Sequence, residues 1–275
     1  MPAAPKGRTG RRVREKSQAA GRKPRAGVRW LRIAGVALLC LAVVAGAFWL
    51  SLPSVEPLRT ELPASTAFID ARAAEAKAKG LAARRVQRQV ALGRISPWLR
   101  RAVVNSEDAR FWDHDGLDRV ETETALRKAV ERGKLGRGAS TLTQQLAKNL
   151  WLGEERSILR KAKELILARR LESLGKERIL EIYLNVVEWG RGIYGAEAAS
   201  RTWFKKPSSE LQPEEAAVLA AMLPAPRKRN PRKPSLKLRS RAAEVLELYG
   251  MYRQLSPAEL DAARSRLARL LPLAP

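Results

Sequence analysis

The chain reads as a mainly α-helical protein, with one N-terminal apolar helix leading into a helical domain. Three observations predict this. Ile33 to Leu52 carries no charge over twenty residues, and that much helix spans about 30 Å, one bilayer core. Further along, apolar residues recur at helical spacing behind Ser, Thr and Pro start signals. No stretch shows the alternation or tight-turn chemistry of a strand or hairpin, and no internal repeat is present.

Taken in order, residues 1–32 form a basic tail, with eleven Lys/Arg against one acid, Glu15. It is rich in Gly, Pro and Ala, lacks apolar periodicity, and is expected to be disordered. Residues 33–52 are the transmembrane signal-anchor helix, with Trp30 and Trp49 near its ends as interfacial aromatics. The basic flank predicts a cytoplasmic N-terminus, with everything after Leu52 periplasmic or otherwise outside the cytoplasmic (inner) membrane. A cleaved signal peptide is the competing reading, since Ala45-Gly46-Ala47 fits a cleavage site. The long basic leader and the apolar continuation through Phe48, Trp49 and Leu50 favour an uncleaved single-pass anchor. The net charge of +25 invites a nucleic-acid reading. This topology removes it: the densest basic run faces anionic lipid headgroups on the cytoplasmic side, so membrane and not nucleic acid is the expected partner. Cys40, the one cysteine, lies in the apolar span, which excludes an internal disulfide and a cysteine metal site.

Residues 53–85 read as a stalk with some helix from Phe68 onward. The main domain is expected at 86–234. Ser96 caps a helix with Pro97 at its first position, and further helices read at 121–132, 141–151, 156–173, 176–187 and from Pro213 to Leu223. The basic, proline-broken run Pro224–Pro234 is read as a solvated linker, with a membrane-facing patch as the alternative. Residues 235–275 form a C-terminal helical extension, in which Ser256 and Glu259 make a capping box.

The segment Gly138-Ala-Ser-Thr-Leu-Thr-Gln-Gln-Leu-Ala-Lys-Asn149 follows a glycine entry from Gly133 and is capped by Ser140 or Thr141. A helix here gathers Thr141, Gln144, Gln145 and Lys148 on one side, while Leu142, Leu146 and Leu150 point elsewhere. Such a face suits a polyhydroxylated, negatively charged ligand; a plain polar surface helix is the alternative. Glu107 and Asp108 follow an apolar helical turn and precede Phe111-Trp112. A carboxylate beside aromatics is partly desolvated, which raises its pKa and makes it a better base; a helix-ending salt bridge is the alternative. His114, the single histidine, is expected to fix the turn at Gly116 and not to act as the base. Arg156, Arg160 and Glu164 form a row at four-residue spacing, whose plain reading is a surface salt-bridge ladder.

Five segments in this order carry a resemblance: Asn105–Gly116, Gly138–Asn149, Glu155–Glu164, Lys176–Asn185 with Gly190, Gly192 and Gly195, and Glu215–Pro224. Together they resemble the peptidoglycan glycosyltransferase family, over roughly residues 90–232. The resemblance implies a lysozyme-like helical fold and polymerisation of lipid II into glycan strands with release of undecaprenyl diphosphate. Glu107 matches the family's catalytic base and Glu164 its second active-site carboxylate. Lys148 and Arg156 match residues that bind the substrate diphosphate. Asp108, Thr141, Gln144, Gln145 and Asn149 are the remaining expected substrate-binding residues, and Asn185 and the glycine run would shape the rest of the cleft. No cofactor is required by the sequence, while Mg or Mn is compatible with the resemblance. Partners are lipid II, undecaprenyl diphosphate-linked glycan, the membrane and, by the same resemblance, other cell-wall synthases. Gly-Ala-Ser-Thr-Leu-Thr replaces the commoner Gly-Gly-Ser-Thr-Ile-Thr and touches no expected catalytic position. A monofunctional enzyme is expected: Ser173-Leu-Gly-Lys176 mimics a transpeptidase nucleophile motif, but no Lys-Thr-Gly follows. The rivals are a lytic glycan-cleaving enzyme of similar fold and a non-enzymatic scaffold. A lytic enzyme acting on polymer needs no diphosphate site.

Overall fold

The computed structural model describes residues 26–132, 140–153 and 157–272. Residues 1–25, the glycine entry from Gly133 to Gly138, and Arg156 lie outside the described residues. The chain divides into two units, one ending at Ser51 and one running from Leu52 to Pro275.

In the first unit, α1 (Ala26–Leu50) is one continuous helix. Its segment Trp30–Leu50, with mean hydropathy 2.5, is long and apolar enough to cross a membrane. It starts seven residues before the charge-free run, because Arg29 and Arg32 are as compatible with helix as the residues after them.

The second unit is mainly helical, as expected. The expected stalk is instead part of this unit. Leu52 and Leu58 are buried. Thr66 accepts a hydrogen bond from the Ile69 amide and so starts α2 (Ala67–Ala78), which buries Ile69. This helix has almost no apolar face, and charge holds it: Arg227 donates to both oxygens of Glu75 at 3.0 and 3.3 Å. With Lys79 also bonded to it, the Glu75 carboxyl is lowered to about 2. The run Pro224–Pro234 is therefore packed and not a free linker; its Arg232 also lies over the Trp203 ring at 5.6 Å.

Ser96 accepts from the Trp98 amide, Pro97 opens α3 (Pro97–Glu107), and Leu99, Ala102, Val103 and Val104 are buried. The helices α4 (Arg119–Arg132), α5 (Leu142–Ala147), α6 (Ile158–Leu171) and α7 (Lys176–Val186) follow. Then α8 (Ala196–Phe204) appears where no helix was expected; it opens behind Gly195 with no side-chain cap, so the sequence offers no start signal for it. α9 (Pro213–Met222) is nearly all apolar and buried, which makes it the central helix. On it pack α3 and α10 (Leu236–Met251), the latter burying Leu238, Ala242, Val245, Leu246 and Tyr249. The C-terminal extension is thus core material. α11 (Pro257–Leu270) opens with the Ser256/Glu259 capping box.

One strand pairing had not been expected: β1 (Val86–Gln87) lies parallel to β2 (Ile193–Tyr194). Two residues are too few to show alternation. Gly192 permits the pairing, since a Cβ there would sit 2.3 Å from the Arg84 carbonyl oxygen, at a φ of +69°.

Candidate active site

Glu107 is the last residue of α3, and Asp108 breaks the helix with φ −162°. Asp108 is buried and fully used inside the protein. His114 Nε2 donates to its two oxygens at 3.0 and 3.1 Å, and the Leu142 amide donates to Oδ2 at 2.8 Å. It therefore bolts the end of α3 to the start of α5. Thr141 completes the joint: it donates to the Gly116 carbonyl at 2.7 Å and accepts from the Gln144 amide as the cap of α5. The polar atoms of Asp108 and Thr141 are thus committed to internal bonds. His114 bonds Asp108, while the turn at Gly116 that it was expected to fix is held by Thr141; its Nδ1 is buried without a partner.

The joint carries Gln145 to Glu107, where Gln145 Nε2 donates to Oε2 at 3.2 Å. The Tyr183 hydroxyl on α7 donates to Gln145 Oε1 at 2.9 Å. Burial pushes the half-buried Glu107 carboxyl above the ordinary 4.5, and the neighbouring Asp108 charge adds to the rise. The Gln145 hydrogen bond, Arg241 and Arg229 pull the other way. Arg241 reaches this corner from α10, donating to the Ser106 carbonyl at 3.0 Å. The expected reason for desolvation was the Phe111-Trp112 pair. Trp112 in fact lines a separate cavity with Leu92, Pro97 and Leu180. Glu107 instead opens on a polar cavity of about 190 Å³ with Asn105, Arg110, Asp118 and Ser140 among its walls.

The helix expected over 141–151 ends at Ala147 and gives way to a π-helical turn, Lys148–Leu152, closed by Gly153 at φ +64°. A π turn inserts an extra residue and re-aims the side chains it carries. The Lys148 ammonium lies 5.5 Å from the Phe68 ring centre, and Asn149 is buried, donating to the Gln145 carbonyl at 2.9 Å. Leu142, Leu146 and Leu150 are buried as expected.

Glu164 on α6 is 3% exposed, which removes it from any surface ladder. Arg160 meets it at 2.6 Å, as the row predicted, and Lys161 at 2.5 Å. Lys161 had not been singled out; it also reaches Gln144 Oε1 at 3.5 Å. Consecutive residues of α5 thus serve two networks, Gln145 with Glu107 and Tyr183, and Gln144 with Lys161 and Glu164. Asn185 is not a cleft residue. It is fully buried, bonding both the N–H and the C=O of Val90, and latches the segment after β1 to α7. Tyr183, Arg229 and Arg241 were missed. Tyr183 stands inside a recognised motif, but the arginines carry no local signal. Among the described residues no group of three or more His, Cys, Asp or Glu could hold a metal ion.

Residues 75–249 match the sequence model of the family described as Transglycosylase. A biosynthetic peptidoglycan transglycosylase of Thiobacillus denitrificans is 51% identical over 60% of this chain and 72% of its own length. Proteins of the same name from Laribacter hongkongensis and Rhodospirillum centenum are each 42% identical, over 73% and 78% of this chain and 87% and 85% of their own lengths.

Proposed function

The chain belongs to the transglycosylase family, and we propose that it polymerises lipid II into glycan strands, releasing undecaprenyl diphosphate. The observation that carries the reading is Glu107: a carboxyl raised by burial, held by Gln145 at one oxygen, and facing a polar cavity. A carboxylate in that state is a better proton acceptor than a solvated one. Glu107 takes the proton from the 4-hydroxyl of the acceptor sugar. The freed oxygen attacks C1 of the donor sugar, the C1–O bond to the diphosphate breaks, and the configuration at C1 inverts. Lys148 and Arg156 stabilise the charge that builds on the departing diphosphate. Glu164 orders Arg160 and Lys161 on the donor side. Asp108 and Thr141 fix the α3–α5 joint, while Gln144, Gln145 and Asn149 meet the sugars.

We read α1 as a membrane anchor with its basic end in the cytoplasm, which keeps the domain beside a lipid-borne substrate. Two substrates offered separately test the reading. Labelled lipid II should yield polymer and free undecaprenyl diphosphate in equal measure with new linkages, and preformed glycan strands should not be shortened. Shortening of the strands without growth on lipid II would make the protein a lytic enzyme instead.

A further inference from the structure

We infer that Tyr183 is a positioning residue for the base, acting through Gln145 to keep an N–H, and not a carbonyl oxygen, turned toward Glu107. The inference rests on the assignment of Glu107 as base. Its geometry is a three-residue relay drawn from three helices: Tyr183 hydroxyl to Gln145 Oε1 at 2.9 Å, then Gln145 Nε2 to Glu107 Oε2 at 3.2 Å.

A primary amide has two nearly isosteric orientations, and only its hydrogen-bond partners separate them. Here the phenol makes the choice. Tyr183 is fully buried, and its hydroxyl makes its hydrogen bond to the Gln145 oxygen. Burial, with the nearby Glu107 and Asp108 charges, keeps that phenol protonated far above neutral pH, so it is a permanent donor. Turning the amide over would leave the phenolic proton without an acceptor in a dry site, which folded proteins avoid. With the amide so fixed, Glu107 receives one N–H at Oε2 and keeps Oε1 for the acceptor hydroxyl. Without the phenol, the amide is free to turn when Glu107 takes up a proton, presenting its oxygen to the new O–H. That stabilises the protonated acid, the form that cannot act as base.

The sign follows. Donation from Gln145 lowers the Glu107 pKa, so Tyr183→Phe should raise it further. The acid limb of kcat/KM against pH should then move to higher pH, by on the order of half a unit to one unit. At pH well above the limb, turnover should recover toward that of the unaltered enzyme, which a loss of structure would not allow. The test uses full-length protein in detergent with labelled lipid II and four forms: unaltered, Tyr183→Phe, Gln145→Met, and the double variant. Gln145→Met should shift the limb upward too, and Tyr183→Phe should add nothing in that background. A limb unmoved by Tyr183→Phe, or moved as far when Gln145 is already methionine, overturns the inference. Incorporation of 3-fluorotyrosine at position 183 keeps the shape and strengthens the donor, so the limb should move down; an unmoved limb there overturns it as well. Glu107→Gln run alongside separates the two assignments. If it is inactive and Tyr183→Phe leaves the limb in place, only the role of Tyr183 falls. If it turns over normally, the base assignment falls and this role with it.

Discussion

Asp108→Asn should damage stability more than its small change in shape suggests. The side chain is 3% exposed and accepts from two donors, His114 Nε2 and the Leu142 amide. Asparagine keeps one acceptor oxygen and sets an NH₂ against the other donor. The ring of His114 can respond by moving its proton to Nδ1, but Nδ1 has no partner, so the orphan is only relocated. A lost hydrogen bond to a buried charge and one unsatisfied buried donor together cost about 2–4 kcal/mol. For a unit of this size each kcal/mol lowers Tm by roughly 2–4 °C. Thermal unfolding of the detergent-solubilised protein, followed by circular dichroism, should therefore show a fall of about 4–16 °C. Turnover should fall with it even below the transition, because the same joint sets Gln145 against Glu107. If Asp108 mainly contacts substrate, KM will rise with Tm within about 1 °C of the unaltered protein, and the joint described here is wrong.

Four further outcomes follow from the site and the two units. The rate on lipid II should rise with pH through a value above 4.5, because burial raises the Glu107 carboxyl and only its deprotonated form is a base; a limb at or below 4.5 contradicts the desolvation. The native state holds that proton more tightly than the unfolded chain, so the same group should lower stability as pH climbs through the raised pKa. Glu164→Gln breaks contacts to Arg160 and Lys161. Because both cations keep some solvent the stability loss should be about 1–3 kcal/mol by chemical denaturation, with a larger loss of turnover; normal turnover would leave Glu164 purely structural. Removing residues 1–51 spares Leu52, which is buried in the second unit, so polymerisation in detergent should persist at reduced efficiency. A folded but wholly inactive truncation would make the span part of the active site.

Local chemistry was legible and long-range chemistry was not. Ser96 with Pro97, Thr141, and Ser256 with Glu259 announce helix starts because a cap is satisfied within three residues. The burial of Leu142, Leu146 and Leu150 follows from spacing alone. The α2 segment looked like a stalk because its apolar face is thin; its anchor, Arg227, is 152 residues away from Glu75. The π turn at Lys148 has no composition of its own, and the polar face of that segment reads the same for an α or a π turn. Asn185 was expected to shape the cleft because its segment resembles the family, yet its partner Val90 lies 95 residues away. Asp108 and Thr141 line the cavity at Glu107, but the sequence does not show that their polar atoms also hold the α3–α5 joint. Arg241 enters the Glu107 corner from a helix outside the five motifs.

The central claim is that the Glu107 carboxylate performs the proton transfer that joins lipid II units. The most direct measurement compares unaltered protein with Glu107→Gln, both full length in detergent, given sugar-labelled lipid II and resolved by gel. Glutamine keeps the shape and still accepts from Gln145, so both proteins should unfold at similar temperature. The unaltered protein should build a ladder of polymer, and the variant should be slower by at least ~10². A folded variant that builds the ladder at a near-normal rate would contradict the account.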